Sequence, residues 1–320
     1  MNQVAEPTSR HRLPGNKMRV TKDDPKGLYK LFHCDCMSWI DGQKENSVDA
    51  IVTDPPYAVQ EYEISELDKL REGRGGIWRI PPSFDGAKRQ ALPRFSIIND
   101  DAAARQAFSN FFEAWGRKAL RILKPGGHII IASTQLLSDC LGRALRDAGF
   151  ERRGELVRLV STLRGGDRPK GAEKEFSGLS VTPRSGWEPW GIYRKPLSEK
   201  TVAQNLRKWG TGALRRPEDD TPFVDVVSIG RTPKDERILA GHPSQKPLEL
   251  MEILVRAAVP NPKGLLVEPF LGSGVTVAAA EYLGIRSIGI ERDDVFYKAA
   301  VSSIPKLVAY LRKRSTKKMG

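Results

Sequence analysis

The stretch at 53–57 reads Thr-Asp-Pro-Pro-Tyr, which places a carboxylate, two prolines and an aromatic ring directly after the apolar run 48–52. Because proline lacks an N–H and pushes the preceding residue out of helical geometry, this loop should be stiff and extended, with bare carbonyls. A carboxylate and a carbonyl can together accept two N–H bonds, and a tyrosine ring can stack on a flat group. The loop therefore suits a planar ring that carries an amino group, although Asp-Pro-Pro is also a common turn composition.

A glycine loop is the second group of interest, and it reads Glu-Pro-Phe-Leu-Gly-Ser-Gly at 268–274. It lies between a predicted strand and a helix of small residues, and the next predicted strand is followed by Glu291. This order is the layout of a nucleotide-binding site, in which the acid accepts bonds from two ribose hydroxyls. Gly272 and Gly274 would allow the tight turn and a close approach of the ligand.

The absence of two motifs narrows the range of ligands that this loop is expected to bind. The loop has neither the full G-x-G-x-x-G of a dinucleotide site nor the Gly-Lys-Ser/Thr of a phosphate loop, which argues for a nucleoside without a pyrophosphate and against a NAD-type dehydrogenase. Glu268 could meet a cationic group, so S-adenosylmethionine, a nucleoside with a free amine and a sulfonium, fits. Alone, G-x-G is a weak signal, and a plain strand-to-helix turn has the same composition.

The composition of the 320-residue chain favours a polyanionic partner. Its net charge is +13 and its pI is about 9.7, which points first to nucleic acid, with a solvated basic surface as the alternative. Three cysteines, two of them only two residues apart at Cys34 and Cys36, predict buried free thiols in a reducing compartment rather than a zinc site. Without an apolar signal segment or a run of membrane-spanning length, we expect a cytoplasmic protein.

The elements that position these groups alternate between strand and helix, which predicts an α/β fold. The predicted strands are 28–33, 48–52, 128–132, 265–267 and 287–290. The predicted helices are a short one to Ile40, one capped by Asp101 and stopped by Lys-Pro-Gly-Gly at 124–127, and 136–148, 247–259, 275–283 and one from Asp293.

The chain divides into four predicted regions. A flexible N-terminal arm covers 1–27, a catalytic half covers 28–150 with an insert at 58–99, a target-recognition region covers 151–240, and a cofactor-binding half with a basic tail covers 241–320. In 151–240, basic residues alternate with aromatic ones, a composition that suits backbone contact and base stacking, although ordinary packing tryptophans would look the same. These residues are Trp187, Trp190, Tyr193, Arg194, Lys195, Arg207, Lys208, Trp209, Arg215 and Arg216.

Four motifs in a fixed order resemble those of the amino-directed DNA methyltransferases, the N6-adenine and N4-cytosine enzymes. They are Thr-Asp-Pro-Pro-Tyr at 53–57, Leu-Lys-Pro-Gly-Gly at 123–127, His-Pro-Ser-Gln-Lys-Pro at 242–247 and the glycine loop at 268–274. The order is similar to the beta group, in which the catalytic loop precedes the target-recognition region and the cofactor loop comes last. The resemblance covers about half of the chain and implies a Rossmann-like S-adenosylmethionine-dependent methyltransferase fold, with a mixed, mostly parallel sheet and helices on both faces.

The resemblance implies a catalytic set of Asp54, Pro55, Pro56 and Tyr57. The Asp54 carboxylate and the Pro55 carbonyl would bind the target amino group, and Tyr57 would stack on a base flipped out of the duplex. No cysteine nucleophile is needed, so the implied reaction is a direct displacement on the amine. An aspartate at the first loop position is commoner among the adenine enzymes, which favours N6-adenine over the alternative, N4-cytosine.

The resemblance also implies a set of residues that bind the cofactor. Glu268 would lie near the methionine amine, Glu291 would hold the ribose, Asp35 would close the adenine side, and Ser244 and Lys246 would contact the methionine end, with Lys246 as a carboxylate partner on physical grounds. Pro269, Phe270, Gly272, Ser273 and Gly274 complete the set. The family usually has Asp where Glu268 stands and Thr where Val275 stands, which puts the amine contact in question.

Other interpretations stay open at this point. A catalytically inactive DNA-binding relative would keep the fold without turnover, and an enzyme that methylates protein glutamine or RNA would use a similar amine, though such enzymes usually carry Asn at the first loop position. Double-stranded DNA is the expected substrate. A homodimer and a restriction endonuclease partner are further expectations that the resemblance raises and the residues leave undecided.

Overall fold

The computed structural model describes residues 20–23, 27–56, 60–61, 95–96, 102–160, 169, 171–181, 183, 185–240 and 245–319. Tyr57, Ser244, Asp101, the basic residues at the end of the tail and most of the expected arm and insert lie outside the residues whose side chains are described.

The described elements alternate between strand and helix, as predicted. The strands are β1 (Val20–Asp23), β2 (Tyr29–His33), β3 (Val48–Thr53), β4 (Gln60–Glu61), β5 (Phe95–Ser96), β6 (Leu123–Ala132), β7 (Glu151–Leu159), β8 (Trp187–Arg194), β9 (Val226–Val227), β10 (Leu265–Glu268) and β11 (Arg286–Glu291). The helices are α1 (Cys36–Asp41), α2 (Ala102–Ile122), α3 (Ser138–Asp147), α4 (Val202–Trp209), α5 (Lys234–Ala240), α6 (Leu248–Ala258), α7 (Val275–Tyr282) and α8 (Asp294–Met319).

Nine of these strands form one sheet in the order β1-β2-β11-β10-β3-β6-β8-β7-β9. The five central strands from β2 to β6 are mutually parallel, whereas β1 runs antiparallel to β2 and β8 runs antiparallel to both β6 and β7. β4 and β5 form a second, two-stranded sheet. The predicted mixed, mostly parallel sheet is therefore confirmed.

Helices cover both faces of this sheet, which explains why β3 is buried along its whole length. Ala50 and Val52 belong to a core with side chains from α6, α7 and α8, such as Leu254. Ile51 belongs to a second core with side chains from α1, α2 and α3, such as Phe112. Each fully buried aliphatic or aromatic side chain of this size stabilises the fold by roughly 1.5–3 kcal/mol relative to its exposed state.

The Lys-Pro-Gly-Gly stretch at 124–127 was expected to stop the preceding helix, and the helix does end directly before it, but the next strand begins earlier than the expected His128. Helix α2 ends at Ile122 and β6 begins at Leu123, so the stretch lies within the strand. A buried side-chain amide satisfies one carbonyl of this stretch, since Asn205 Nδ2 donates to the carbonyl oxygen of Pro125 at 2.8 Å. A Cβ on Gly126 would lie 2.6 Å from that same Nδ2 atom, so the close approach requires glycine there.

The region 151–240 contributes two long strands, β7 and β8, to the main sheet. Three of its predicted nucleic-acid contacts are consequently internal: Trp190 is fully buried, Tyr193 is 2% exposed and Arg194 is 7% exposed. The expectation that these three contact DNA is wrong, since Trp190 and Tyr193 pack in the hydrophobic cores on the two faces of the sheet and Arg194 bonds Glu151 and the Gly212 carbonyl. Arg207, Lys208 and Arg216 are exposed.

Three smaller findings concern the remaining composition-based expectations. Cys34 and Cys36 are buried free thiols and Cys140 is half-buried, and burial raises the pKa of Cys36 to about 12. Among the described residues, no group of three or more His, Cys, Asp or Glu could hold a metal ion. In the same part of the chain, no helix combines the length and the apolar character that crossing a membrane requires.

Candidate active site

The carboxyl ends of the five parallel strands meet at one edge of the sheet, and the predicted site residues follow these ends. Between β3 and β10 the direction of the chain reverses: β10 continues through α7 to its neighbour β11, whereas β3 continues to its neighbour β6 on the other side. In open α/β sheets, ligands bind in the crevice at this kind of switch point. Asp54 follows β3 and Glu268 ends β10, so the two candidate loops flank the crevice.

A buried carboxyl group links the two loops directly. Oε1 of Glu268 accepts a hydrogen bond from the Thr53 hydroxyl at 2.5 Å and from the Phe270 N–H at 3.0 Å. Oε2 accepts from the Thr276 hydroxyl at 2.8 Å. The last residue of the catalytic strand, the glycine loop and the first turn of α7 are thus held together by one side chain.

This environment favours the neutral form of Glu268. The residue is 2% exposed, and burial raises its pKa to about 8 even though the hydrogen bonds from Thr53, Phe270 and Thr276 lower it. The nearby carboxylate of Asp54 raises it further. Glu268 was expected to meet the amine of a methionine moiety. In the structure it joins the two loops, and a cationic group bound beside it would favour loss of its proton to solvent.

The glycine loop has the backbone conformation that its composition predicts. Gly272 and Gly274 have φ values of 50° and 80°, a region that favours glycine. Any Cβ on Gly274 would lie 2.5 Å from Cγ1 of Ile304 on α8. On the same helix, the Ser303 hydroxyl donates to the carbonyl of Ser273 at 2.7 Å. The loop is therefore held closely against α8.

Glu291 lies at the end of β11, beside the glycine loop. Its Oε2 accepts from the Gly272 N–H and its Oε1 from the Asp293 N–H, each at 3.0 Å. Each carboxylate oxygen has two lone-pair directions, so one N–H bond on each leaves capacity for a hydroxyl. The side chain is half-buried, which fits an acceptor of the hydroxyl pair of a nucleoside sugar.

The remaining predicted cofactor residues have separate structural roles. Asp35 is exposed and caps α1, since its Oδ1 accepts from the Ser38 N–H at 3.0 Å. Pro269 is buried, whereas Phe270 is half-buried. The Phe270 ring centroid lies 6.1 Å from that of Trp115, so the ring packs against α2 while keeping an accessible face.

Lys246 has a partner that the sequence did not indicate. Its Nζ lies 3.1 Å from Oδ2 of Asp54 and 3.1 Å from Oε2 of Glu188. The sequence-based expectation placed this ammonium against the carboxylate of a methionine moiety. In the structure it contacts the candidate catalytic aspartate, so the predicted catalytic and cofactor sets are joined by an ion pair.

Sequence reasoning missed Thr53, Thr276 and Glu188 as members of the site. Thr53 was read as the first residue of the catalytic loop and its hydroxyl was given no role, whereas in the structure it is the last residue of β3. Glu188 lies in Trp-Glu-Pro-Trp at 187–190, a stretch otherwise suited to a buried strand. A lone acid in such a stretch requires a buried partner, and this was the available signal.

The match to known proteins agrees with this geometry. Residues 171–302 match the family model described as DNA methylase. The type II methyltransferase M.HindIII of Haemophilus influenzae is 23% identical over 298 residues, which cover 86% of this chain and 94% of that protein. Over these residues the chain is similar to the DNA methylase family and to type II methyltransferases. The segment matched to the methylase family contains Glu188, Lys246 and the glycine loop, and it begins after the Asp54 loop.

Solved structures show the methyltransferase fold in this chain. The PvuII DNA methyltransferase (cytosine-N4-specific) superposes with a TM-score of 0.55 at 14% identity, covering 88% of this chain and 90% of that one. The M1.HpyAVI–SAM complex superposes with a TM-score of 0.51 at 17% identity, covering 86% of this chain and 98% of that one. At this identity, the two likenesses establish the fold.

Proposed function

We propose that the protein is a DNA methyltransferase that transfers a methyl group from S-adenosylmethionine to the exocyclic N6 amino group of adenine in duplex DNA. The observation that carries this proposal is the position of the two loops. The Asp-Pro-Pro loop and the glycine loop leave adjacent parallel strands, with Ile51 paired to Val267, and Glu268 bonds to Thr53 at the start of one and to Phe270 in the other. A nucleoside held by one loop can thus face an amine held by the other.

A base amine is a weak nucleophile, because its lone pair is delocalised into the ring. The residues of the Asp54 loop can increase its nucleophilicity. The Asp54 carboxylate and the Pro55 carbonyl would accept its two hydrogens, which favours a pyramidal nitrogen with the lone pair directed away from the ring. S-adenosylmethionine, when bound, supplies a methyl group on a positively charged sulfur. The Asp54 carboxylate and the Pro55 carbonyl would hold the nitrogen toward the methyl group that S-adenosylmethionine would supply, and the surplus proton on nitrogen would leave to water.

Alignment supplies most of the rate in such a displacement, because two bound reactants need no further collision. The side chains suited to hold the cofactor are Glu291 for the ribose hydroxyls, the Phe270 face and Asp35 for the adenine, and the glycine loop for close backbone approach. The M1.HpyAVI structure with SAM supports this choice of cofactor. Glu268 as the partner of the methionine amine and Tyr57 as a stacking platform stay predictions.

The substrate is supported by charge and by the relatives. The net charge of +13 suits a polyanion, and relatives such as M.HindIII are type II methyltransferases. The exposed Arg207, Lys208 and Arg216 are our candidates for phosphate contact. The base must leave the duplex, since its amine cannot be reached inside the stack. A cytoplasmic location, a homodimer and a restriction endonuclease partner stay predictions.

N4-cytosine methylation is the second candidate. The PvuII enzyme, specific for that position, has the same fold, so the scaffold does not discriminate between the two amines. Our preference for adenine rests on the aspartate at the first position of the catalytic loop, a tendency of the family that Asp54 matches.

Labelled S-adenosylmethionine, the purified chain and DNA from a methylation-deficient strain provide the test. After digestion to nucleosides, mass spectrometry should find N6-methyldeoxyadenosine. N4-methyldeoxycytidine would favour the second candidate, and the absence of both would contradict the proposal. Asp54→Ala should abolish incorporation while leaving cofactor binding, measured by calorimetry, nearly intact. Sequencing with modified-base detection would then identify the recognition sequence.

A further inference from the structure

Four charged side chains of alternating sign form a continuous ion-pair series. In order, these are Arg158, Glu188, Lys246 and the candidate catalytic Asp54. An Arg158 guanidinium nitrogen lies 3.6 Å from Oε2 of Glu188. That oxygen lies 3.1 Å from Nζ of Lys246, which lies 3.1 Å from Oδ2 of Asp54. The four residues come from β7, β8, the segment before α6 and the loop after β3. The ion-pair series thus runs along the edge of the sheet from β7 and β8 to the loop that carries Asp54.

The side chains of the ion-pair series are largely shielded from solvent. The exposed fractions of its side chains are 5% for Arg158, 16% for Glu188, 10% for Lys246 and 21% for Asp54. Burying a charge is costly unless it is paired, and removing one member of a buried pair leaves the other uncompensated. Two carboxylates and two cations balance here, so a change at any link should alter the position of its neighbours.

Glu188 is the member of the ion-pair series whose carboxylate is held by the most contacts. Its Oε1 accepts from the indole N–H of Trp190 at 2.7 Å, and its Oε2 accepts from Lys246 at 3.1 Å. Arg158 lies opposite it in the β7–β8 ladder. Behind it, Arg158 is itself held, since its Nε donates to the carbonyl of Ile229 at 3.0 Å and its guanidinium donates to that of Gly230. Both oxygens of Glu188 are therefore oriented by groups built into the sheet.

We propose that Glu188 is a positioning residue for methyl transfer: it holds the Lys246 ammonium against Asp54 and so sets the orientation of the carboxylate that receives the target amine. This inference rests on the proposed function and adds a residue outside the four sequence motifs. Glu188 touches neither reactant in this account. It acts through Lys246, and its own position is set by Trp190 and Arg158.

The charge state of Lys246 follows from the same contacts. Burial lowers the pKa of Lys246, but the carboxylates of Asp54 and Glu188 outweigh it and raise the pKa above its usual value. For Glu188, burial raises the pKa, while Lys246 and Arg158 lower it to a net value below the usual range. Lys246 therefore stays an ammonium beside Asp54. This ammonium lies against Oδ2 of Asp54, the carboxylate that is proposed to accept an N–H bond from the target amine.

The deciding experiment compares Glu188→Gln, which keeps the size and shape of the side chain and removes its charge, with Glu188→Asp. We expect kcat for DNA methylation to fall about 10- to 100-fold in Glu188→Gln, the size of effect that a misplaced catalytic group produces. The Kd for S-adenosylmethionine should be nearly unchanged, and Glu188→Asp should recover part of the loss. The matched control is Glu155→Gln on β7, whose carboxylate pairs with Arg152 on the protein surface. A kcat of wild-type size in Glu188→Gln would overturn the proposal.

A second measurement is independent of activity. With lysine labelled with carbon-13 at Cε and Lys246→Arg used to assign the signal, NMR titration should show that Glu188→Gln lowers the pKa of Lys246, because one of its two carboxylate partners is gone. An unchanged Lys246 titration would contradict the positioning role. If the wild-type chain methylates no DNA, the proposed function fails, and the titration still decides whether Glu188 holds Lys246.

Discussion

The Thr53 hydroxyl donates to Oε1 of Glu268 across 2.5 Å, and these residues end the adjacent parallel strands β3 and β10. This bond joins the strand that delivers the Asp54 loop to the strand that delivers the glycine loop. The distance between the two loops is thereby set by a buried side-chain contact as well as by the sheet.

Removal of this hydroxyl should affect both stability and turnover. Thr53→Val keeps the shape of the side chain but removes one donor from a buried carboxyl, which should cost about 1–3 kcal/mol in the free energy of unfolding. Turnover should fall more than cofactor affinity, because the two loops would no longer be held in register. Urea unfolding and methylation kinetics provide the measurement. Thr221→Val, at an exposed threonine that bonds Asp219, should stay within about 0.5 kcal/mol of wild type.

Glu268 predicts a specific dependence of stability on pH. Its folded-state pKa of about 8 lies above its ordinary value of 4.5 because burial disfavours the charge. The stability that the neutral carboxyl supports is fully present below the ordinary value and is lost as pH rises through about 8. Glu268→Gln cannot ionise, so it should gain stability relative to wild type across this window, which urea unfolding at a series of pH values would measure.

The control for this pH dependence is Glu113→Gln. Glu113 pairs with Arg117 on the surface of α2, and its replacement should leave the slope of the unfolding free energy against pH as it is in wild type. A Glu268→Gln variant whose slope also equals that of wild type would show that Glu268 does not carry a raised pKa in the folded protein.

Replacement of Lys246 distinguishes two possible partners of its ammonium, the Asp54 carboxylate and the carboxylate of the cofactor. If Lys246 acts through Asp54, its replacement by methionine should lower kcat about 100-fold with little change in the Kd for S-adenosylmethionine. As a partner of the cofactor carboxylate, the same change should weaken cofactor binding. Calorimetry and single-turnover kinetics on Lys246→Met separate the two, with Lys298→Met as control, since Lys298 pairs with Asp294 on the exposed face of α8.

The exposed basic residues of α4 predict a salt-dependent interaction with DNA. Arg207→Ala and Lys208→Ala together should weaken DNA binding and reduce the slope of log K against log salt by about one for each phosphate that the variant no longer neutralises. Lys208 also lies 5.7 Å from the Trp209 ring centroid, which orients it. Fluorescence anisotropy over a salt series provides the measurement. The double change Lys298→Ala with Lys306→Ala removes the same charge from α8, and an equal reduction of affinity there would contradict a DNA contact at α4.

The order of elements was predictable because local patterns determine it. The stretch at 48–52, apolar except for Asp49, predicted a buried strand, and β3 is that strand. The glycine loop was predictable because its conformation depends on its own residues: Gly274 takes φ 80° at the start of α7. Strand-to-strand pairing was less accessible. The membership of β7 and β8 in the main sheet, and the burial of Trp190 and Tyr193 within it, depend on partners far along the chain.

By itself, the sequence determined the α/β class and the positions of the two loops, since strand and helix periods, glycine and proline act within a few residues. Only the tertiary structure decided which charges meet. Asp54, Glu188 and Lys246 are widely separated along the chain, with Lys246 lying 58 positions after Glu188, and lie within hydrogen-bonding distance of one another in succession. Pairing of buried charges depends on the shape of the sheet edge and on its low polarity, and neither property can be read from local sequence.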